Sequence, residues 1–393
     1  LNIDIYAGDC LDSLKQLEDQ SINTCITSPP YWGLRDYNGE EKQLGLENTP
    51  EEFVDNLVKV FREVKRVLRD DGTVWLNLGD TYSSHKDCKS TPQSLAKGMQ
   101  SEVAHVIEKG KSVSRNTKKL KAAGLKNKDL IGIPWRVALA LQQDGWYLRQ
   151  DIIWHKPNPM PESVKDRCTK AHEYIFLLSK SSKYYFDNEA IKEDAKFPDG
   201  PNSPHNIKKG QGEYGMDTRG GLNKIGAIEK KNKRSVWTVT TKPFAGAHFA
   251  TFPMDLIEPC VLAGCPEKIC VDCGKPYERV MQRPKQLEVE RNKRSGLNDR
   301  KIGGVLDKYN RENPPKDLGM QKQCDCKTNK TKAGTVLDPF AGSGTTGIVA
   351  DHRNRNAVLL ELSDDYIKIA VKRIKKEVGT LFLNLNIIRK KDD

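Results

Sequence analysis

Thr335-Val336-Leu337-Asp338-Pro339-Phe340-Ala341-Gly342-Ser343-Gly344-Thr345-Thr346-Gly347 is the stretch that decides the fold. A short β-like run ends in Asp-Pro-Phe, breaks into a turn with two closely spaced glycines, and opens a helix. Glycine at 342 and 344 lets the backbone turn tightly and approach a ligand with no Cβ in the way. The following helix offers that ligand unpaired N–H groups and a positive dipole end. Ser343, Thr345 and Thr346 add hydroxyls. No Gly-Lys-Ser/Thr follows, so this is not a Walker-type phosphate loop, and the Gly342–Gly347 spacing alone is a weak dinucleotide fingerprint. Glu361 ends the next strand about 20 residues on, where a carboxylate can accept hydrogen bonds from two ribose hydroxyls. Taken alone, the pattern also fits an ordinary strand-to-helix turn with a solvent-facing glutamate.

Working outward, four ordered stretches alternate with basic, polar inserts. Residues 1–84 read as β-α-β-α-β: strands at Asn2–Tyr6, Ile22–Thr27 and Thr73–Leu78, a helix at Asp9–Leu17, and a helix at Pro50–Arg69. The second helix carries Phe53, Leu57, Val60, Phe61, Val64 and Leu68 on one face. Asp70-Asp71-Gly72 is expected to stop it. Residues 131–186 resume the core with a helix over Pro134–Gln143 and strands at Trp146–Trp154 and Glu173–Leu178. Residues 236–269 add a helix led by Pro253, and 328–393 close the chain with the glycine turn, a strand at Ala357–Leu362 and a helix from Asp364. This order predicts an α/β fold, a mostly parallel sheet covered by helices. The inserts are 85–130, with eleven Lys/Arg against four Asp/Glu, then 187–235 and 270–327.

The 393 residues carry a formal net charge of +12, which favours polyanionic partners. No apolar stretch approaches the roughly 20 residues of a membrane span. The N-terminal residues hold Asp4, Asp9 and Asp12 with no basic flank, so a cytoplasmic protein without a secretory signal is expected. Ten cysteines in that setting read as thiols or metal ligands rather than disulfides. Cys270-x-x-Cys273 and Cys324-x-Cys326 form two close thiol pairs, and Gly274 suits a zinc-knuckle turn; structural zinc on four thiolates is expected.

A second turn, Ser28-Pro29-Pro30-Tyr31, caps the strand at Ile22–Thr27. Its prolines have no N–H, so the carbonyls of Ser28 and Pro29 can accept from a ligand's amino group while Tyr31 offers a flat face. A planar base with an exocyclic amine suits such a site. A rigid proline corner without chemistry would read the same when taken alone.

Together, Asp338-Pro-Phe-Ala-Gly-Ser-Gly and Ser28-Pro-Pro-Tyr resemble the S-adenosylmethionine-binding and catalytic motifs of amino-group DNA methyltransferases. The catalytic motif precedes the cofactor motif, as in the beta-type permutation. Gly8-Asp9-Cys10, Ile133-Pro134-Trp135, Trp154-His155-Lys156-Pro157-Asn158-Pro159 and Ala247-His248-Phe249-Ala250-Thr251-Phe252-Pro253 resemble further segments of that family. The resemblance implies a Rossmann-like methyltransferase sheet of about seven strands in circularly permuted order. Cofactor and base pockets would lie side by side at its carboxyl edge. It implies that Asp338, Phe340, Gly342, Gly344, Thr345 and Glu361 hold S-adenosylmethionine, helped by Asp9, Phe249, Thr251 and Phe252.

The catalytic set implied is Ser28, Pro29, Pro30 and Tyr31. The exocyclic nitrogen is a poor nucleophile because its lone pair is delocalised into the ring. Ser28 and the Pro29 carbonyl would accept its hydrogens, and alignment with the sulfonium methyl would do the rest. The base must leave the helix stack, with Tyr31 as its stacking surface and Trp32 either walling the pocket or packed in the core. Ring-carbon methylation needs a cysteine nucleophile, and Pro259-Cys260 reads as helix core. Ser at 28 resembles the cytosine-N4 branch, whereas the adenine-N6 branch usually carries Asp or Asn there. Double-stranded DNA is the expected substrate, with a cognate restriction endonuclease as functional partner and 187–235 as the first candidate for target recognition. An RNA or protein-glutamine methyltransferase and a non-catalytic DNA-binding protein are the rival readings.

Overall fold

A computed structural model describes residues 1–33, 43–83, 124–195, 230–241, 252–282, 313, 315–379 and 384–389. The chain divides into two compact units. The first comprises Leu1–Phe186, Arg234–Pro276 and Thr328–Asp393; the second comprises Asp187–Lys233 and Tyr277–Lys327. Most of the basic insert at 85–130 lies outside the described residues.

Among the described residues, the main sheet of the first unit has nine strands: β1 (Asn2–Ala7), β2 (Ile22–Thr27), β3 (Leu68–Leu78), β4 (Tyr147–His155), β5 (His172–Ser179), β6 (Val236–Thr238), β7 (Thr335–Asp338), β8 (Asn356–Glu361) and β9 (Asn384–Arg389). Their order across the sheet is β9-β1-β8-β7-β2-β3-β5-β4-β6. Every neighbouring pair is parallel except the two that involve β5. The expectation of about seven strands is therefore two short, and both additions, β6 and β9, are edge strands. Asn384–Arg389 carries Leu385, Ile387 and Ile388 without strict alternation, and none of its residues is buried, so it lacks the pattern of a core strand.

Alternation along the strands sends side chains to two helical layers. Val74, Leu76 and Leu78 of β3, Leu337 of β7 and Val358 and Leu360 of β8 join one apolar core with α1 (Cys10–Leu14), α2 (Pro50–Val67) and α3 (Ile133–Gln143). On the other face, Thr24, Thr73 and Trp75 meet α4 (Met254–Gly264). A Cβ on Gly264 would lie 2.5 Å from the Trp75 ring nitrogen and 2.8 Å from Thr73 Oγ1, so only glycine allows this approach. Cys260 is buried inside α4, and Pro259 lies within the same helix, so the Pro-Cys pair is core. α5 (Thr345–His352) and α6 (Asp364–Val378) complete the unit.

α2 forms where its sequence asks. Thr49 Oγ1 accepts the Glu52 N–H at 3.1 Å, Pro50 occupies the first turn, and Lys65 and Arg66 stand in the last, against the negative end of the dipole. Its end differs from expectation. Asp70-Asp71-Gly72 is not a stop outside regular structure; β3 begins at Leu68 and runs through it. The buried Leu68 side chain lies over Gly72, where a Cβ would sit 2.5 Å from Leu68 Cγ. Gly72 thus serves a close packing contact inside a strand.

The second unit holds an antiparallel hairpin, Tyr277–Gln282 with Lys316–Lys322, and a short ribbon, Glu193–Asp194 with Lys230–Lys231. Arg279 of the first pair donates to Asp317 Oδ2 on the facing strand at 2.8 Å and to both oxygens of Asp187. Residues 187–235 and 270–327, expected as separate inserts, supply most of this unit, while Cys270–Pro276 goes with the sheet. No helix among the described residues is long and apolar enough to cross a membrane.

Candidate active site

The carboxyl ends of β2 and β7 are neighbours in the sheet. Each leads into one of the two turns, and a single carboxylate ties them. Asp338 accepts from Thr27 Oγ1 at 2.6 Å, from Thr346 Oγ1 at 2.6 Å and from the Phe340 N–H at 3.1 Å. It is only 1% exposed. Burial pushes its pKa up to about 6, against the pull of those three donors. Asp338 therefore makes no wall of the cavity described next; its oxygens are engaged beneath the turn.

That cavity, of about 470 Å³, lies at the sheet's carboxyl edge within the first unit. One side is the glycine turn and its surroundings: Asp9, Phe252, Phe340, Gly342, Thr345 and Glu361 all line it. Asp9 Oδ1 caps α1, accepting the Leu11 and Asp12 N–H groups at 3.0 and 3.2 Å. Gly342 lines the cavity with φ +51°, and a Cβ there would meet nothing within 4 Å. Gly344 does not line the cavity. With φ +77°, it faces α6, where a Cβ would lie 3.1 Å from Ile374 Cδ1. Glu361 accepts the N–H groups of Gly342 at 2.8 Å and Ser363 at 2.9 Å. Burial first, and the nearby Asp338 charge further, push it up to about 7. Phe249 and Thr251 lie outside the described residues.

The other side is Ser28, Pro29, Pro30 and Tyr31. Tyr31 donates its hydroxyl to Glu173 Oε2 at 2.8 Å, and its ring rests on Gly79, where a Cβ would be 2.5 Å from Tyr31 Cε2. Trp32 is 5% exposed, donates to the Glu47 carbonyl at 3.1 Å and joins the core, which settles its role as packing. Lys156, Lys170 and His172 complete this wall with Glu173. Burial pulls Lys170 down despite the carboxylates of Asp80 and Glu173 beside it.

Sequence reasoning missed the groups that hold this geometry. Glu173 and Lys156 stood inside recognised segments, but nothing local marked Glu173 as a partner of Tyr31 or Lys156 as a partner of Glu173. Arg373, one helix away, donates to Ser343 Oγ at 2.7 Å and Thr345 Oγ1 at 2.6 Å and so fixes two of the turn's hydroxyls.

Residues 22–273 and 292–372 match the family model described as DNA methylase. The chain belongs to the DNA methylase family. It is 38% identical over 386 residues to the Type II methyltransferase M.Cfr9I of Citrobacter freundii, covering 98% of this chain and 90% of that one. It is 37% identical over 376 residues to the Type II methyltransferase M.SmaI of Serratia marcescens, covering 94% and 90%. Among solved structures, the PvuII DNA methyltransferase, described as cytosine-N4-specific, shares the fold with a TM-score of 0.50 and 15% identity over 98% of this chain and 95% of that one.

The methylase also carries the cysteine turn expected at 270. The Gly274 N–H donates to the Cys270 carbonyl at 2.9 Å, the Cys270 N–H donates to the Lys275 carbonyl at 2.9 Å, and Gly274 has φ +69°. This is the tight turn that a Cys-x-x-Cys-Gly ligand pair uses. Cys324 and Cys326 belong to the second unit, directly after its hairpin.

Thr27→Val should test the tie between the two turns. It keeps the side-chain shape while removing one donor from a buried carboxylate, so the expected loss is about 1–3 kcal/mol in urea unfolding. Unchanged stability would show that the Asp338 contact carries no weight in this methylase.

Proposed function

We propose that this chain transfers a methyl group from S-adenosylmethionine to the exocyclic N4 of cytosine in double-stranded DNA. One observation carries the reading: a single cavity is bounded by the glycine turn with Glu361 on one side and by Ser28–Tyr31 on the other. Asp9, Phe252, Phe340, Gly342, Thr345 and Glu361 would hold the cofactor, with Phe249 and Thr251 assigned by sequence resemblance alone. The open space at Gly342 and the inward Glu361 carboxylate fit a ribose-bearing ligand. Asp338 and Gly344 shape the turn from beneath. When bound, S-adenosylmethionine supplies a methyl group made electrophilic by its sulfonium.

The chain's own residues do the remainder. The Pro29 carbonyl and Ser28 hydroxyl accept the amine's hydrogens as the nitrogen becomes tetrahedral, and Pro30 stiffens the corner. The Tyr31 ring stacks on the extruded base, and the held position of all these groups provides the alignment. Basic segments contact the DNA backbone, and residues 187–235 take part in target recognition. The protein would work in the cytoplasm beside a cognate restriction endonuclease. The Ser-Pro-Pro-Tyr form, which resembles the cytosine-N4 branch where the adenine-N6 branch usually carries Asp or Asn at position 28, favours cytosine over adenine. Structural zinc on Cys270, Cys273, Cys324 and Cys326 completes the proposal: an all-thiolate set leaves no open position for catalysis.

Plasmid DNA incubated with labelled cofactor, digested to nucleosides and analysed by mass spectrometry should yield N4-methylcytosine. N6-methyladenine would move the reading to the adenine branch, and label only in RNA or protein would end it.

Ribose hydroxyls donate to a carboxylate, so they bind the ionised form of Glu361. Its raised pKa of about 7 places the change near neutrality. Cofactor affinity should be full above that pH and fall as pH drops through it, by up to about tenfold per unit. Calorimetric titration of Glu361→Gln should give weaker binding with a flattened pH profile; an unchanged profile would remove Glu361 from the cofactor site.

Elemental analysis should find one zinc per chain. Cys273→Ser should lower that content and the melting temperature together. Metal-free protein of unaltered stability would dismiss the zinc.

A further inference from the structure

Polar groups run in line from the Ser28 turn into β5. Ser28 Oγ lies 3.5 Å from the Tyr31 hydroxyl oxygen. The Tyr31 hydroxyl lies 2.8 Å from Glu173 Oε2 and 3.3 Å from Asn77 Oδ1. It has one proton, and the closer, charged acceptor takes it. Glu173 Oε1 in turn accepts from Lys156 Nζ. Asn77 donates to the Tyr174 carbonyl at 3.0 Å and reaches Glu173 Oε2 at 3.4 Å. With the tyrosine proton committed to Glu173, the phenol oxygen can accept from Ser28. The Ser28 oxygen is then left to accept from the cavity.

Methylation of an exocyclic amine leaves one proton too many on the nitrogen. A backbone carbonyl can hold such a hydrogen but is too weak a base to keep the proton. A serine hydroxyl can take it only if its own proton leaves. We propose that Glu173 receives this proton through Tyr31 and Ser28, an assignment that rests on the methyl-transfer reading above. As the new nitrogen–carbon bond forms and the carbon–sulfur bond breaks, sulfur leaves as a neutral thioether. The surplus proton passes from nitrogen to Ser28 Oγ. The Ser28 proton passes to the Tyr31 oxygen, and the Tyr31 proton passes to Glu173 Oε2. Nitrogen ends as a neutral methylamino group, both hydroxyls end neutral, and the carboxylate ends as a carboxylic acid that discharges to water in the cavity it lines. The 3.5 Å step is the long one, and such contacts tighten when substrate fills a site. Lys156, Asn77 and Tyr31 face Glu173 directly, with Lys170 and His172 flanking it.

The chain gives serine the reach of a carboxylate without placing one against the base. Glu173 acts through Tyr31 and needs no contact with substrate, which separates its role from that of Ser28.

The test is single-turnover methyl transfer by the full chain on plasmid DNA with labelled cofactor, alongside dissociation constants for both ligands. Tyr31→Phe keeps the stacking ring and removes the relay. Glu173→Gln keeps a hydrogen-bond acceptor and removes the base. Each should slow transfer by about 10²-fold with both dissociation constants held within about twofold. The double variant should be no slower than the slower single one, because both break the same chain. Should Glu173→Gln fail to fold, Tyr31→Phe decides alone. Transfer by Tyr31→Phe within about threefold of wild type, losses that multiply in the double variant, or losses confined to DNA affinity would each overturn the relay. If wild-type protein methylates no DNA base, the functional reading fails instead, whatever the variants do.

Discussion

The buried carboxylate of Asp338 is the constraint on which this site depends. Taking a carboxylate out of water costs several kcal/mol unless donors replace the lost hydration. Here two hydroxyls and one backbone N–H replace it. Those donors come from the end of β2, the start of α5 and the turn between β7 and α5. Satisfying one charge therefore fixes three segments at once. Thr27 and Asp338 are 311 positions apart, yet their contact sets where the two turns stand relative to each other.

The two glycines of the turn divide the labour. Gly342 lines the cavity with open space where a Cβ would stand, whereas Gly344 lets α6 pack closely behind the turn. Gly347 serves the same end on the sheet side, where a Cβ would lie 2.8 Å from Leu359 Cδ1. One motif thus borders the cavity with its first glycine and packs against the core with its second and third. Arg373 adds a further clamp from α6, and its own burial lowers its pKa, a cost offset by the hydroxyls it orders.

What was legible in the sequence was local. Proline after proline, glycine in a strand-to-helix turn and a glutamate ending the next strand each announce their geometry within a few residues. Side-chain periodicity gave α2 its face for the same reason. What was not legible depends on register between distant strands. Tyr31 meets Glu173 across 142 positions and Asn77 across 46, because β3 and β5 pair antiparallel with Asn77 opposite Ile175. No pattern in the chain encodes that pairing. Asp338 was legible as part of the glycine-turn motif, but its burial and its ties to Thr27 and Thr346 were not. Gly72 misled because a glycine after two aspartates looks like a stop, while its neighbour Leu68 needs the space.

Charge also bears on why a hydroxyl stands at position 28. The cavity region already holds two carboxylates raised by burial, Asp338 to about 6 and Glu361 to about 7, and the first helps raise the second. Residue 28 follows Thr27, the donor to Asp338, and its hydroxyl adds no further negative charge to this edge. Glu173 can supply negative charge from the far side of Tyr31, where Lys156 neutralises it. In the proposed relay the acceptor that meets the substrate is thus separate from the charge that supports it, and that charge stands beside its own counter-ion.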